Sequence, residues 1–207
     1  IVEIFLKNKK SIIFPTFINP SLNRGVVNLD SQKSSSGILS EVFRKMPGVK
    51  RTINPFFSYS IIGESQKSFI NINPKYDWSK ISHLGWMEKN NISSIILGTF
   101  PENNPIVHRM EFINKNKVKY RDIKRFKNKI IYNGQELDHI QYYFGLKNGY
   151  EHIYYKDLFK KYSVTEIDTY LINSLSIHHY KASVMLDLIN KEIENNILFR
   201  EGKMKNI

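Results

Sequence analysis

The stretch Ser93-Ser-Ile-Ile-Leu-Gly-Thr99 gives the clearest indication of the fold class. It is an apolar run of strand length, which is typical of a buried strand. The loop Phe100-Pro-Glu-Asn-Asn104 follows, and Asn104 and Pro105 form an N-cap with a proline at the first helical position. The order strand, loop and helix predicts an α/β domain with a mostly parallel central sheet flanked by helices.

Weaker patterns on both sides of this unit predict further elements. Asn133-Gly134 marks a turn between two short strands. Residues from about 158 onward look mainly helical and end in an amphipathic helix over 177–199. The remaining predictions are strands over 11–18 and 54–62 and helices over 38–45 and 81–91.

Length and composition restrict the class of protein. With 207 residues the chain has the size of one domain, and we predict a single α/β domain over residues 1–207. No apolar run is long enough to span a bilayer. The absence of cysteine excludes a thiolate metal site and a cysteinyl acyl-enzyme, and it fits a cytoplasmic protein. Because the chain begins at Ile1 inside an apolar segment, we expect residues to be missing upstream.

The formal net charge of +12 predicts affinity for polyanions or for a phosphate-bearing ligand. Basic residues are dense over Lys115–Lys129 and alternate with Tyr120 and Phe126, as contacts to nucleic-acid phosphates and bases require. No recognised nucleic-acid motif accompanies this stretch, and a charge run is usually a solvated face. A nucleic-acid-binding module is therefore an alternative that we disfavour.

His108 is the residue that stands out for its chemistry. It lies in the first turns of a helix that follows a predicted strand, and ligands of open α/β sheets bind at the carboxyl ends of the strands. The positive end of the helix dipole favours neutral imidazole, which is the form that a general base needs. Glu111, three residues on, lies on the same helix face. Spacing alone leaves open an ordinary surface pair of histidine and glutamate.

Several segments, in order over about residues 11–126, carry a resemblance to one family. They are Ile13-Phe-Pro-Thr-Phe17, the long block Gly37–Thr52, Asn54-Pro55 with Ser58, Ile96-Leu-Gly98, the run Asn104–Glu111, and Tyr120-Arg121 with Lys124. Together they resemble the antibiotic N-acetyltransferases, the aminoglycoside 3-N-acetyltransferase family. The block Gly37–Thr52 is the most specific part, because it is long and its order is kept.

The resemblance implies acetyl transfer from acetyl-CoA to an amino group of an amino sugar or aminoglycoside. On this basis His108 is the expected general base and Glu111 orients its ring. The family pattern suggests coenzyme-A ligands and substrate-binding residues at matching positions. The expected coenzyme-A ligands are Arg51, Thr52, Ser58 and Ser60, and the expected substrate-binding residues are Asn54, Asn104 and Arg121.

The chain departs from the family in two ways. Asn54 stands where the family usually has a histidine, and the family's segment before the Pro-Thr-Phe strand is missing. These departures motivate a second alternative, a non-catalytic relative that acts as a binding or scaffold protein.

The net charge also bears on the acceptor. Because aminoglycosides are polycations, a charge of +12 favours an amino sugar that is neutral or anionic, such as a nucleotide-linked sugar or a surface-polysaccharide precursor. Local acidity near Glu102, Glu111 and Asp122 would overrule the net charge. We predict no metal site, since the adjacent His178 and His179 point in different directions. A homodimer is compatible with the sequence.

Overall fold

The computed structural model describes residues 7, 10–18, 25–153, 155 and 157–205. The chain divides into two compact units. The first comprises Ile1–Asp77 and Arg125–Tyr142, and the second comprises Trp78–Lys124 and Tyr143–Ile207. The single domain over residues 1–207 stays a prediction.

The first unit contains a small antiparallel sheet in the order β1-β4-β3. In it Ile13 pairs with Ile61, and Arg51 pairs with Ser60. This pairing brings the predicted strand over 11–18 beside the predicted strand over 54–62. The elements before the second unit are β1 (Ile12–Pro15), β2 (Val26–Asn28), α1 (Ile38–Phe43), β3 (Lys50–Arg51), β4 (Tyr59–Ile62) and α2 (Gln66–Ile70).

The second unit contains another antiparallel sheet, and the helix Val107–Ile113 packs against the helix Ala182–Asn195. Within the described part of the chain, every helix is too short or too polar to cross a membrane. The elements of this unit outside the central hairpin are α3 (His83–Lys89), β5 (Ser93–Leu97), α4 (Val107–Ile113), α5 (Leu158–Lys161), β8 (Asp168–Ile172), β9 (Leu175–Lys181), α6 (Ala182–Asn195) and α7 (Ile197–Glu201).

The hairpin predicted at Asn133-Gly134 is confirmed, and its strands are long rather than short. They are β6 (Arg121–Tyr132) and β7 (Gln135–Leu146). Both turn residues have positive φ, 51° and 72°, as a two-residue hairpin turn requires. The Asp30 carboxylate accepts both turn amides, from Asn133 N at 2.9 Å and from Gly134 N at 2.8 Å. The turn is therefore fixed by a residue distant in sequence.

The fold is α/β, but the mostly parallel central sheet is not confirmed. Among the described residues β2 pairs parallel with β6, whereas β5 pairs antiparallel with β9. The reason lies in residues 168–181, which we expected to be helical. They form a hairpin, because Asn173 adopts a φ of 56° and reverses the chain between β8 and β9.

The strand predicted at Ser93–Thr99 exists, but it is not buried. It lies at the edge of the sheet, in the order β5-β9-β8, and its alternate residues face outward. Ile95, for example, is 51% exposed. A continuous apolar run does not distinguish an edge strand from a central one, since both carry the same residue types. The amphipathic helix over 177–199 likewise begins later, at Ala182, because 177–181 belong to β9.

Candidate active site

The start of α4 brings His108 and Glu111 together. The Asn104 side chain caps the preceding turn by accepting a hydrogen bond from Ile106 N at 3.1 Å. One helical turn then separates the two residues, and His108 Nδ1 lies 2.5 Å from Glu111 Oε2. The His108 side chain is 30% exposed, whereas that of Glu111 is fully buried. The imidazole is therefore accessible and is held from its buried side.

The Glu111 carboxylate has partners on both oxygens. Oε1 accepts hydrogen bonds from the hydroxyls of Tyr120, at 2.5 Å, and of Tyr155. Oε2 receives the His108 ring and forms an ion pair with Arg121 Nε at 2.9 Å. An ionised carboxylate has about four acceptor positions, and hydrogen bonds from His108, Tyr120 and Tyr155 use three of them.

These partners decide the charge states of the cluster. Burial alone would raise the pKa of Glu111, but the charges of His108 and Arg121, together with the hydrogen bonds from His108 and Tyr120, lower that pKa to about 2. Burial and the Glu111 charge raise the pKa values of Tyr120 and Tyr155. At neutral pH the cluster therefore combines a carboxylate with protonated phenols, which are hydrogen-bond donors.

The carboxylate also sets the tautomer of His108. Because Glu111 can only accept, Nδ1 carries the proton and Nε2 has the free lone pair. Arg121 Nη2 lies 3.3 Å from the same Nδ1. Both nitrogens are donors in this tautomer, so the contact between them is electrostatic and not a hydrogen bond. Nε2 is the atom of the pair that can take a proton from a substrate.

Trp78 restricts the imidazole on another side. Its ring lies against that of His108 in an edge-to-face arrangement, with 5.6 Å between the centroids. Arg109, the next residue on α4, donates to the Trp78 carbonyl at 2.6 Å and to Glu88 Oε2 at 2.8 Å. Trp78 thus contacts the expected general base directly.

The four expected coenzyme-A ligands lie in the first unit, and three of them, Arg51, Ser58 and Ser60, contact Thr16. Arg51 donates to the carbonyls of Leu29 and Gln32, each at 2.9 Å, and to that of Thr16. Its Nε donates to Ser58 Oγ at 3.0 Å. Burial and the neighbouring Arg44 charge lower the pKa of Arg51 to about 10. The guanidinium therefore ties loops together in this structure.

The other three expected ligands are fully buried. Thr52 Oγ1 accepts from Tyr59 N at 2.9 Å, Ser58 Oγ donates to the Thr16 carbonyl at 2.6 Å, and Ser60 Oγ donates to Thr16 Oγ1 at 3.2 Å. Their polar atoms are engaged within the protein, so the geometry gives these side chains a structural role. Their role as coenzyme-A ligands stays a prediction.

Asn54 belongs to a buried polar chain in the first unit. Its Nδ2 donates to Asp77 Oδ1 at 2.7 Å, and its Oδ1 accepts from the amides of Phe56 and Phe57. Gln141 Nε2 also donates to Asp77 Oδ1, and Gln141 Oε1 lies 2.8 Å from His139 Nε2. Burial raises the pKa of Asp77 to about 8, although the hydrogen bond from Asn54 opposes the shift. Substrate binding by Asn54 stays a prediction.

Two further expected substrate-binding residues lie in the second unit. Arg121 is brought to His108 and Glu111, as described above. Asn104 Nδ2 donates to Ser94 Oγ at 2.9 Å and to the Tyr180 hydroxyl at 3.1 Å, in addition to its cap. Asn104 thus joins the start of α4 to β5 and β9. No group of three or more His, Asp or Glu side chains within the described residues is placed to hold a metal ion.

Sequence reasoning missed the two tyrosines of the cluster. Tyr120 stood out only as part of a basic stretch, and Tyr155 carried no signal, since it lies 44 residues from Glu111 in the sequence. A buried carboxylate requires hydrogen-bond donors. Tyrosine carries a hydroxyl donor on an apolar ring, and the chain has 12 tyrosines that are candidates. The pattern does not say which of them reach Glu111.

Comparison with known proteins identifies the family and agrees with the fold. The profile of the aminoglycoside 3-N-acetyltransferase family matches residues 8–189. The structure is similar to the YokD protein from Bacillus subtilis, with a TM-score of 0.69, 16% identity, and coverage of 96% of this chain and 77% of that chain. No curated protein sequence matches the chain.

Two other similar structures contain a bound ligand. AAC-IIIb in binary complex with CoASH has a TM-score of 0.69 and 13% identity, with coverage of 96% of this chain and 80% of that chain. Sisomicin-bound AAC-VIa has a TM-score of 0.68 and 12% identity, with coverage of 89% and 79%. These likenesses concern the fold. The family match over most of the chain shows that this protein belongs to the aminoglycoside 3-N-acetyltransferase family.

Proposed function

We propose that this protein transfers the acetyl group of acetyl-CoA to an amino group of an amino sugar or aminoglycoside, with His108 as general base. The observation that carries the proposal is a partly exposed imidazole whose Nδ1 is held by a fully buried, ionised glutamate. Such a pair leaves Nε2 able to accept a proton. The coenzyme-A-bound relative supports the co-substrate.

The reaction balances with the groups at hand. The neutral amine attacks the carbonyl carbon of the thioester, and a C–N bond forms. His108 Nε2 takes the proton that the amine nitrogen releases, and the C–S bond breaks. The imidazolium then returns that proton to the departing thiolate, so the products are the amide and coenzyme A. Glu111 keeps the ring oriented and stabilises its protonated form while the proton is held.

The charges of the site bear on the acceptor. Of the three carboxylates that would attract a polycation, Glu111 is paired with Arg121, and Glu102 is buried and accepts from Leu158 N at 2.7 Å. Asp122 is exposed. This balance favours a neutral or anionic amino sugar, whereas the sisomicin-bound relative makes aminoglycosides the alternative acceptors.

Release of the coenzyme-A thiol tests the activity directly. Because the chain has no cysteine, a thiol-reactive dye reports only the product. We expect turnover of at least one acceptor from a panel of nucleotide-linked amino sugars and aminoglycosides. His108→Ala should lose about 10²- to 10⁴-fold in kcat, the usual contribution of a general base, and Glu111→Gln should also lose activity. Turnover of aminoglycosides in preference to the other acceptors would refute the acceptor assignment.

His179→Ala is a matched control, since His179 on β9 also contacts a carboxylate through Nδ1, that of Asp168 on β8, with 3.0 Å to Oδ2. It should retain full activity. Unchanged turnover in His108→Ala would refute the role of His108. Calorimetric binding of acetyl-CoA without turnover of any acceptor would instead identify a non-catalytic relative.

The surroundings of the enzyme are also part of the proposal. We expect a cytoplasmic location, where acetyl-CoA is available, and a homodimer is compatible with the sequence. Light scattering on the purified chain measures the oligomeric state, and a mass of 24.4 kDa would contradict a homodimer.

A further inference from the structure

The Glu111 carboxylate keeps its charge in a place that water does not reach. A buried carboxylate without partners would bind a proton. Of the side chains that the structure describes, one imidazole and one guanidinium lie at Oε2, and two phenol hydroxyls donate to Oε1. Among the described residues, the ionisable groups that act on this carboxylate are His108, Tyr120, Arg121, Tyr155 and His152.

We propose that Tyr120 and Tyr155 are positioning residues, which fix the Glu111 carboxylate so that its other oxygen holds the His108 ring. This inference rests on the proposed function, in which His108 is the base. Neither phenol contacts the imidazole through a hydrogen bond among the described residues. Their effect on the reaction is therefore exerted through Glu111.

The C-terminal segment holds both phenols in place. The Tyr155 ring packs on that of Phe199 in α7, with 4.7 Å between the centroids. Gly202, which ends α7 at a φ of 83°, lies so close to Tyr120 that an added Cβ would stand 2.4 Å from the Tyr120 Cβ. Lys119, next to Tyr120, donates its amide to the Arg200 carbonyl at 2.7 Å. Packing contacts with the C-terminal segment thus hold both phenols in place in addition to their hydrogen bonds with Glu111.

Removing a phenol hydroxyl has a predictable sign. A carboxylate that has lost a donor holds a proton more strongly, so the pKa of Glu111 rises. The same carboxylate attracts the Nδ1 proton more strongly and stabilises the protonated imidazole.

The experiment uses Tyr120→Phe, Tyr155→Phe and the double variant of the full chain. Tyr162→Phe is the matched control, because the Tyr162 hydroxyl also donates to a buried carboxylate, Glu192 Oε2 at 2.8 Å, outside the cluster. The first readout is the carboxyl-carbon NMR resonance of Glu111, assigned by its loss in Glu111→Gln. It is followed from neutral pH to the acid limit of the folded state.

We expect the Glu111 titration to move upward by about one pH unit for each hydroxyl removed, and further in the double variant. The control should leave it unmoved. In the kinetic readout kcat should fall about 10- to 100-fold with little change in KM, since one hydrogen bond to a charged group is lost. Each single variant remains informative if the double variant does not fold.

The NMR readout does not depend on turnover, so it separates the two proposals. If the Glu111 resonance titrates as in the wild type in both single variants, the positioning role is refuted, even where His108 proves to be the base. An equal shift in Tyr162→Phe would also refute it. If the resonance moves only in the cluster variants while His108→Ala remains active, the phenols position Glu111, and the proposed function fails instead.

Discussion

Asp77→Asn is expected to stabilise the protein in a way that grows with pH. Asp77 is 4% exposed, and its Oδ1 accepts from Asn54 and Gln141. Its Oδ2 has no hydrogen-bond partner among the described residues. Burial raises the pKa of this carboxyl from 3.8 to about 8. Asparagine keeps the acceptor on the Asn54 side and never ionises, so it imitates the protonated acid.

The sign follows from the proton count. Below pH 3.8 Asp77 is protonated in both the folded and the unfolded chain. Between that value and about 8 the unfolded chain has released the proton and the folded chain retains it, so the free energy of unfolding falls as pH rises. The slope is about 1.4 kcal/mol per pH unit for one proton, which gives about 3 kcal/mol between pH 5 and pH 7.

Urea denaturation at a series of pH values measures this difference. The free energy of unfolding of Asp77→Asn minus that of the wild type should increase steadily from pH 5 to pH 7. Asp187→Asn, on the exposed side of α6, controls for the loss of one negative charge from a chain of net charge +12. Two parallel stability curves for Asp77→Asn and wild type would contradict the prediction, because they would show that Asp77 is ionised in the folded protein.

Three further substitutions test the close packing at Gly202 and the contacts of Arg44 and Arg51. Gly202→Ala should cost roughly 1–3 kcal/mol, since alanine is strained at a φ of 83° and its Cβ would meet Tyr120; thermal denaturation measures the loss. Glu41→Gln should cost roughly 1–3 kcal/mol in urea denaturation, because Arg44 loses a bidentate ion pair at 2.6 and 2.7 Å. Arg51→Lys should destabilise by a similar amount, since an ammonium cannot reproduce the fork that contacts three carbonyls; full stability would contradict that role.

The sequence predicted best what is local in the chain. The dyad of His108 and Glu111 follows from a spacing of three on a helix, and the hairpin follows from Asn133-Gly134. Both features depend on backbone preferences that neighbouring residues determine. The family could likewise be identified from segments whose order is kept.

Features that depend on long-range contacts were not predictable. Tyr155 donates to Glu111, which lies 44 positions earlier in the sequence. The pairing of β5 with β9 likewise joins residues that are distant in sequence, such as Ile95 and His179. The hairpin that contains β8 was expected to be helical. The spacing of its apolar residues does not distinguish the period of a helix from that of a strand.

The block Gly37–Thr52 gave the most specific resemblance, and its polar residues have internal partners in this structure. Arg44 donates to the carbonyls of Asp30 and Ser31 at 3.4 Å, and Arg51 donates to those of Leu29 and Gln32. Two guanidinium groups from one block thus hold the segment that follows β2. Asp30, in that segment, fixes the turn of the long hairpin. The contacts of these two arginines therefore link the block to the segment between β2 and α1.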